Sequence, residues 1–171
     1  GQPELWCDNM LYASRMHDIG KIGIPDSILK KPGPLTPEEW KVIQRHPEIG
    51  AEVLGGSTDS PLYQMAAEVA LNHHERYDGT GYPAGRKGED IPLSARIVAV
   101  ADFFDALTSE RCYHSAIPPE QAIDMVRKNR GSHFGPIVTD AFLSITAQIL
   151  ELRTAINAGE IEAVEGYTIS C

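Results

Sequence analysis

The chain has 171 residues, 42% hydrophobic and 23% charged, with a formal net charge of −9. That length suits one domain with a self-sufficient core, and the acidic balance argues against a general nucleic-acid or membrane-surface binder, which needs a basic face. Cys7, Cys112 and Cys171 form no CxxC pair, and no apolar run approaches the roughly 20 residues of a membrane span, so the expected setting is reducing and cytoplasmic.

Residues 5–16 read as a helix running into His17 and Asp18. The Gly/Pro-rich segment that follows is too broken for a long helix, with Asp26 placed to cap a short turn around Ile28 and Leu29. Thr36-Pro37-Glu38-Glu39 has the T-x-x-E spacing of a capping box, with Pro at the first helical position. It predicts a helix through Trp40, Val42 and Ile43 that resumes past Pro47 to Leu54 and stops at Gly55-Gly56. Ser60-Pro61 opens the next helix, through residue 75, and its Leu62, Met65, Ala66, Val69 and Ala70 repeat at helical spacing. Residues 76–92 hold four glycines and two prolines, and connections of that length are usually functional or disordered. Residues 93–109 form the most apolar helix, expected at the centre of the core. Helices over 119–129, closed by Gly131, and over 136–156 complete an all-α fold. Residues 1–157 are the expected domain and 158–171 a C-terminal tail.

Polar residues in apolar settings point to the chemistry. Asp102 lies inside IVAVADFFDAL, where an isolated buried carboxylate needs an arginine, a set of donors or a metal. Arg96 and Arg111 are its bland partners. His17-Asp18 ends one apolar helix, His46 stands between two helical segments, and His73-His74 ends another. Singly, each histidine reads as a surface or satisfied core residue. Together, imidazole and carboxylate without thiolate suit Fe, Mn, Ni or Zn in a nitrogen/oxygen site, and an aspartate that bridges two metals makes a dinuclear phosphoesterase centre plausible. No pair has the close spacing of H-E-x-x-H.

The segments HDIGKIGIPDSILKKPGPLTPEE, HPEIG, HHERYDGTGYPAG and ARIVAVADFFDALTSERCY resemble, in order, the motifs of the HD-GYP phosphodiesterases, bacterial members of the HD superfamily. The resemblance runs from about Met16 to about Phe142. It implies a compact helical bundle of the HD type that hydrolyses cyclic di-GMP to a linear dinucleotide or GMP in second-messenger signalling. It also implies two divalent metal ions, Fe or Mn foremost, with Ni, Zn or Mg as alternatives. Asp18 matches the bridging aspartate. His17 and Asp102 match ligands of one metal, and His46, His73 and His74 ligands of the other. Lys21 resembles a phosphate-contacting lysine, Arg111 and His114 occupy an R-x-x-K phosphate element, and Tyr82 could stack on a guanine. Asp18 and Lys21 are thereby the catalytic candidates. A sensor or receiver domain N-terminal to this chain and a GGDEF-type partner at the GYP loop also follow from the resemblance. No DNA or RNA partner is expected.

Three departures temper it. Only 16 residues precede His17 and none is His, so the first metal is expected to be under-liganded and the domain N-terminally incomplete. His114 replaces the lysine of the phosphate element, and a neutral imidazole binds phosphate less strongly than an ammonium. The F-D-P triplet reads Phe134-Gly135-Pro136, which alters a helix cap more than catalysis. The first two favour a rival reading: a regulatory module that binds a cyclic dinucleotide or a protein but turns over poorly. Glu75 and Asp78 are open to two roles, orienting His73 or His74, or capping the helix end in water. Asp105 is expected to make a structural bond to loop backbone. Gly79 and Gly81 are expected to permit positive φ, and Arg76, Arg86 and Lys87 to form a solvated loop.

Overall fold

A computed structural model describes residues 1–55, 59–110 and 116–159. Among them are nine α-helices and no strand: α1 Glu4–Ala13, α2 Asp26–Leu29, α3 Pro37–Ile43, α4 His46–Leu54, α5 Pro61–Asn72, α6 Leu93–Thr108, α7 Pro119–Lys128, α8 Pro136–Ser144 and α9 Thr146–Asn157. Short 3-10 turns occupy Ser14–Met16, Ile19–Gly23 and Gly88–Asp90. No helix among the described residues is long and apolar enough to cross a membrane.

The fold is two layers joined along α5 and α6. In the first, α1, α4 and α5 meet through Ala13, Leu54, Ala66 and Ala70, with Met16, Ile19 and Leu62 packed around them. In the second, Ala99 and Val100 of α6 pack on Val126, Phe134 and Val138, while Phe104 packs on Ala122 and Ile123. Small residues set the spacing of the first layer. A Cβ on Gly20 would lie 2.0 Å from the His46 carbonyl oxygen and 2.4 Å from the Gly50 nitrogen. Only glycine lets the turn after Asp18 press against α4 this closely.

The capping box forms as the sequence predicts: Thr36 Oγ1 accepts from the Glu39 backbone at 3.2 Å, and Glu39 accepts from Thr36 N at 2.8 Å. Several boundaries differ, three of them with a clear local cause or consequence. Asp26 sits inside the first turn of α2 instead of capping it, and its carboxylate accepts from Lys30 Nζ at 2.8 Å. The helix expected over 136–156 divides at Ile145, whose φ of −115° and ψ of 16° leave helical geometry. No Gly or Pro marks that break. Helix α5 ends at Asn72, three residues early, so His73 becomes its cap and His74 leaves the helix. That early stop frees the two histidines to turn together toward one point.

Candidate metal centre

Four elements deliver the site. The turn after α1 brings His17 and Asp18, α4 begins at His46, α5 ends into His73 and His74, and α6 carries Asp102. Backbone carbonyls set the imidazoles. His17 Nδ1 lies 2.7 Å from Ser14 O, His46 Nδ1 lies 2.7 Å from Ile43 O, and His73 Nδ1 lies 2.9 Å from Ala70 O. A carbonyl only accepts, so each Nδ1 donates, and in the neutral ring each Nε2 presents its lone pair inward. Imidazoles that ligate metals need this kind of orientation from their other nitrogen.

The inward atoms converge without a donor of their own. His46 Nε2 and His73 Nε2 are 3.3 Å apart, and Asp18 Oδ1 is 3.3 Å from the first and 3.7 Å from the second. Asp18 Oδ1 is buried with no hydrogen-bond partner among the described residues. One ligand atom each from Asp18, His46, His73 and His74 all lie within 4.8 Å of one another. Lone pairs gathered this closely repel unless a cation stands among them. Ligands held tetrahedrally at about 2.0–2.2 Å from a divalent metal stand about 3.3–3.6 Å apart. These residues fit such an ion.

Asp18 faces two ways. Its Oδ2 accepts from Lys21 Nζ at 2.5 Å and lies 3.4 Å from His17 Nε2, which is itself 3.8 Å from Asp102 Oδ1. This second corner opens on a cavity of 510 Å³ between α1 and α6, lined in part by His17, Asp102 and Asp105. Asp102 therefore pairs with His17 and not with Arg96, whose Nη2 binds Glu89 Oε2 at 2.7 Å. Six residues on a helix is about one and two-thirds turns, which sends Arg96 to another face. Asp105 accepts from Ser109 Oγ at 3.0 Å.

Protonation follows the same division. Burial alone would raise the Asp18 carboxyl, but His17 and the Lys21 charge on its other oxygen hold it well below the usual carboxylate range. Burial pushes the His74 imidazole down to about 2, helped by its neighbours His73 and His46. Burial also lowers His17, yet Asp18, the Ser14 carbonyl and Asp102 together outweigh it and raise that imidazole. His74 is thus kept neutral, ready to share a lone pair, while His17 holds a proton more firmly than a free imidazole.

The Asp78-to-Pro83 loop sits against this cluster. Tyr82 stacks on His74 with ring centroids 4.8 Å apart and planes 23° from parallel, and burial, with Asp18 and Asp102, pushes its hydroxyl up. The Tyr82-Pro83 peptide is cis. Gly79 has the positive φ that the sequence suggests, at +84°. Gly81 does not, and its need is space: a Cβ there would lie 2.3 Å from Arg76 N and 2.6 Å from His74 O. Among the described residues, neither Glu75 nor Asp78 touches an imidazole through a hydrogen bond. Asp78 accepts from Thr80 N at 2.9 Å and Thr80 Oγ1 at 2.6 Å, while Glu75 binds loop backbone. Arg76 and Arg86 are tied within the loop, to Thr80 Oγ1 and Asp90 O.

Of the site residues the sequence nominates, His17, Asp18, Lys21, His46, His73, His74, Tyr82 and Asp102 are brought together here. Arg111 and His114 lie outside the described residues. Sequence reasoning did not find the backbone-holding role of Glu75 or the close approach at Gly20. The adjacency of Glu75 to His74 was a signal for the first, and the HDxGK spacing for the second.

Comparison with known proteins gives the same picture. A family model described as HD domain matches residues 1–138. A cyclic di-GMP phosphodiesterase of Thermotoga maritima is 47% identical over 152 residues, 89% of this chain and 41% of its own. The cyclic di-GMP phosphodiesterase response regulator RpfG of Xanthomonas campestris pv. campestris is 52% identical over 140 residues, 82% of this chain and 37% of its own. A 3'3'-cGAMP-specific phosphodiesterase of Vibrio cholerae is 42% identical over 156 residues, 91% of this chain and 30% of its own. The chain thus spans well under half the length of these relatives. Among solved structures, a cyclic GMP-AMP specific phosphodiesterase of V. cholerae superposes with a TM-score of 0.61 at 18% identity, over 95% of this chain and 42% of that one, which speaks to fold alone. With the helical bundle, the His-Asp cluster and the match over residues 1–138 agreeing, this chain belongs to the HD domain family, of the HD-GYP type.

Proposed function

We propose that this chain is a metal-dependent phosphodiesterase that opens cyclic di-GMP to a linear dinucleotide or GMP. The observation that carries the reading is the convergence of Asp18, His46, His73 and His74 on one point, with the Asp18 Oδ1 atom buried and unpartnered. The names of relatives supply the substrate: those called cyclic di-GMP phosphodiesterases and quoted above are 47% and 52% identical, against 42% for the 3'3'-cGAMP-specific one.

Divalent ions, Fe or Mn first, would polarise the phosphodiester and make a water nucleophilic at neutral pH. The protein's own part is to position and to balance charge. Asp18, ionised and facing both corners, holds one oxygen toward His46 and His73 and the other toward His17 and Lys21. His46, His73 and His74 would hold one ion, and His17 with Asp102 a second. Lys21 is already poised beside the Asp18 carboxylate, where its ammonium can exchange Asp18 for a phosphate oxygen. Arg111 and His114 belong to the same phosphate-binding role by their motif. The response-regulator name of the Xanthomonas relative supports an attached receiver domain. Cytoplasmic residence and a GGDEF-type partner at the GYP loop complete the reading.

One observation favours a second reading, a binding module with slow turnover: among the described residues His17 and Asp102 are the side chains that join Asp18 Oδ2 as candidate ligands at the second corner, beside an open cavity. The test is hydrolysis by metal-reconstituted protein of cyclic di-GMP and, separately, 3'3'-cGAMP, beside an Asp18→Ala control. Faster loss of cyclic di-GMP by the wild type is expected. Equal rates in wild type and control would remove the enzymatic reading, and preference for 3'3'-cGAMP would change the substrate.

A further inference from the structure

Among the described residues Glu75 is the only acidic side chain that is fully buried, at 2% exposure. A buried carboxylate is costly unless its oxygens are satisfied, so its partners show what it is there to hold. Both oxygens accept backbone N–H groups from one short segment: Oε1 from Ala84 at 2.8 Å and Oε2 from Arg86 at 3.0 Å. The same segment is pinned at its other side. Tyr82 N donates to the His74 carbonyl at 3.2 Å, and Gly81 packs where a Cβ would lie 2.6 Å from that carbonyl oxygen and from Glu75 Cα.

These anchors bracket Tyr82. Residues 74 and 75 grip the chain at 81–82 and again at 84 and 86, and the ring between them lies flat on His74 at 4.8 Å. The rest of the loop is held by groups that do not involve Glu75. Asp78 accepts from Thr80, and Glu89 joins Tyr77 at 3.1 Å to Arg96 at 2.7 Å. Removing the Glu75 carboxylate would therefore release the 84–86 backbone that follows Tyr82 and loosen its ring, while the remainder of the loop stays in place.

We propose that Glu75 is a positioning residue that acts through Tyr82: its carboxylate fixes the 84–86 backbone so that the Tyr82 ring stays stacked on His74 beside the His-Asp cluster. It touches neither the ion nor the substrate. The effect on turnover rests on the phosphodiesterase reading above, whereas the geometric claim does not.

The experiment uses the full chain carrying Glu75→Gln, Tyr82→Leu and both together. Glutamine keeps the volume but faces one backbone N–H with another donor, so one of the two bonds is lost. Ring-current shifts of the His74 ring protons, read by NMR, report the stack directly. Glu75→Gln should abolish the same His74 shift that Tyr82→Leu abolishes, with the His46 ring signals and manganese affinity unchanged. Hydrolysis of cyclic di-GMP should fall roughly tenfold to a hundredfold in kcat for either single change. The double variant should be no slower than Tyr82→Leu alone, the non-additivity expected of one coupled unit. A His74 shift retained in Glu75→Gln, or a double variant that multiplies the two losses, would overturn the proposal. If Glu75→Gln does not fold, Glu75→Asp, which keeps the charge but shortens its reach, reads the same shift. A wild type that hydrolyses nothing would count against the phosphodiesterase reading alone, and the NMR result would still decide the role of Glu75.

Discussion

Around Asp18 the fold builds two unequal corners. On one side His46 and His73 are buried almost completely, at 1% and 2% exposure, and join His74 and Asp18 in a group whose ligand atoms all lie within 4.8 Å of one another. On the other side His17 and Asp102 stand 3.8 Å apart at the mouth of a 510 Å³ cavity, with Lys21 already bonded to the Asp18 oxygen they face. The first corner is made by the start of α4 and the end of α5, with the turn after Asp18 pressed onto α4 at Gly20, the second by one helix end and the side of another. The packed helix ends fix two imidazoles, His46 and His73, by their own carbonyls, whereas the open groove fixes one, His17. The expectation is one tight and one weak metal position.

The largest expected effect would break both corners at once. Asp18→Asn removes the charge they share, and hydrolysis should fall by about 10²–10³ or more, with metal lost from both positions. A variant that lost only one ion would show that Asp18 does not span them. Next, His46→Gln and His17→Gln separate the corners. The first should weaken the tight manganese site at least about tenfold to a hundredfold, and the second should leave it intact and remove the weak one, as read by calorimetric titration. Equal effects would erase the distinction.

A smaller change sharpens the cause. Gly20→Ala places a methyl 2.0 Å from the His46 carbonyl oxygen, so the turn must move away from α4. Stability should drop by about 1–3 kcal/mol in denaturant titration, with the tight site weakened more than the open one. The smallest effect is a control on pH. Burial and then Arg76 push the His133 imidazole down to about 4 from its ordinary 6.5, with Asp78 opposing. Between those values the unfolded chain binds the extra proton, so this contribution to stability is lost as pH falls from 6.5 toward 4 and levels off below. In chelator, His133→Gln should flatten that part of the stability profile, and an unchanged slope would contradict the assignment.

Much of this was legible in the sequence because it is local. Thr36-Pro37-Glu38-Glu39 specifies its own helix start, and the HD, HHE and GYP segments nominate their residues by motif. What was not legible depends on through-space choices. The sequence offered Asp102 an arginine six positions away on its own helix, and only the fold shows that His17 reaches it first. Glu75 sits beside two imidazoles in sequence, yet its carboxylate turns to a backbone nine and eleven residues on. Gly81 looked like a residue needed for its torsion angles and turned out to be needed for its lack of a side chain. The break at Ile145 has no Gly or Pro to announce it.

Anomalous scattering from crystals soaked in manganese tests the central claim most directly. The account predicts an ion ligated by Asp18, His46, His73 and His74, occupied more fully than any ion between His17 and Asp102. No ion among those four residues, or one held only at the His17–Asp102 corner, would contradict it.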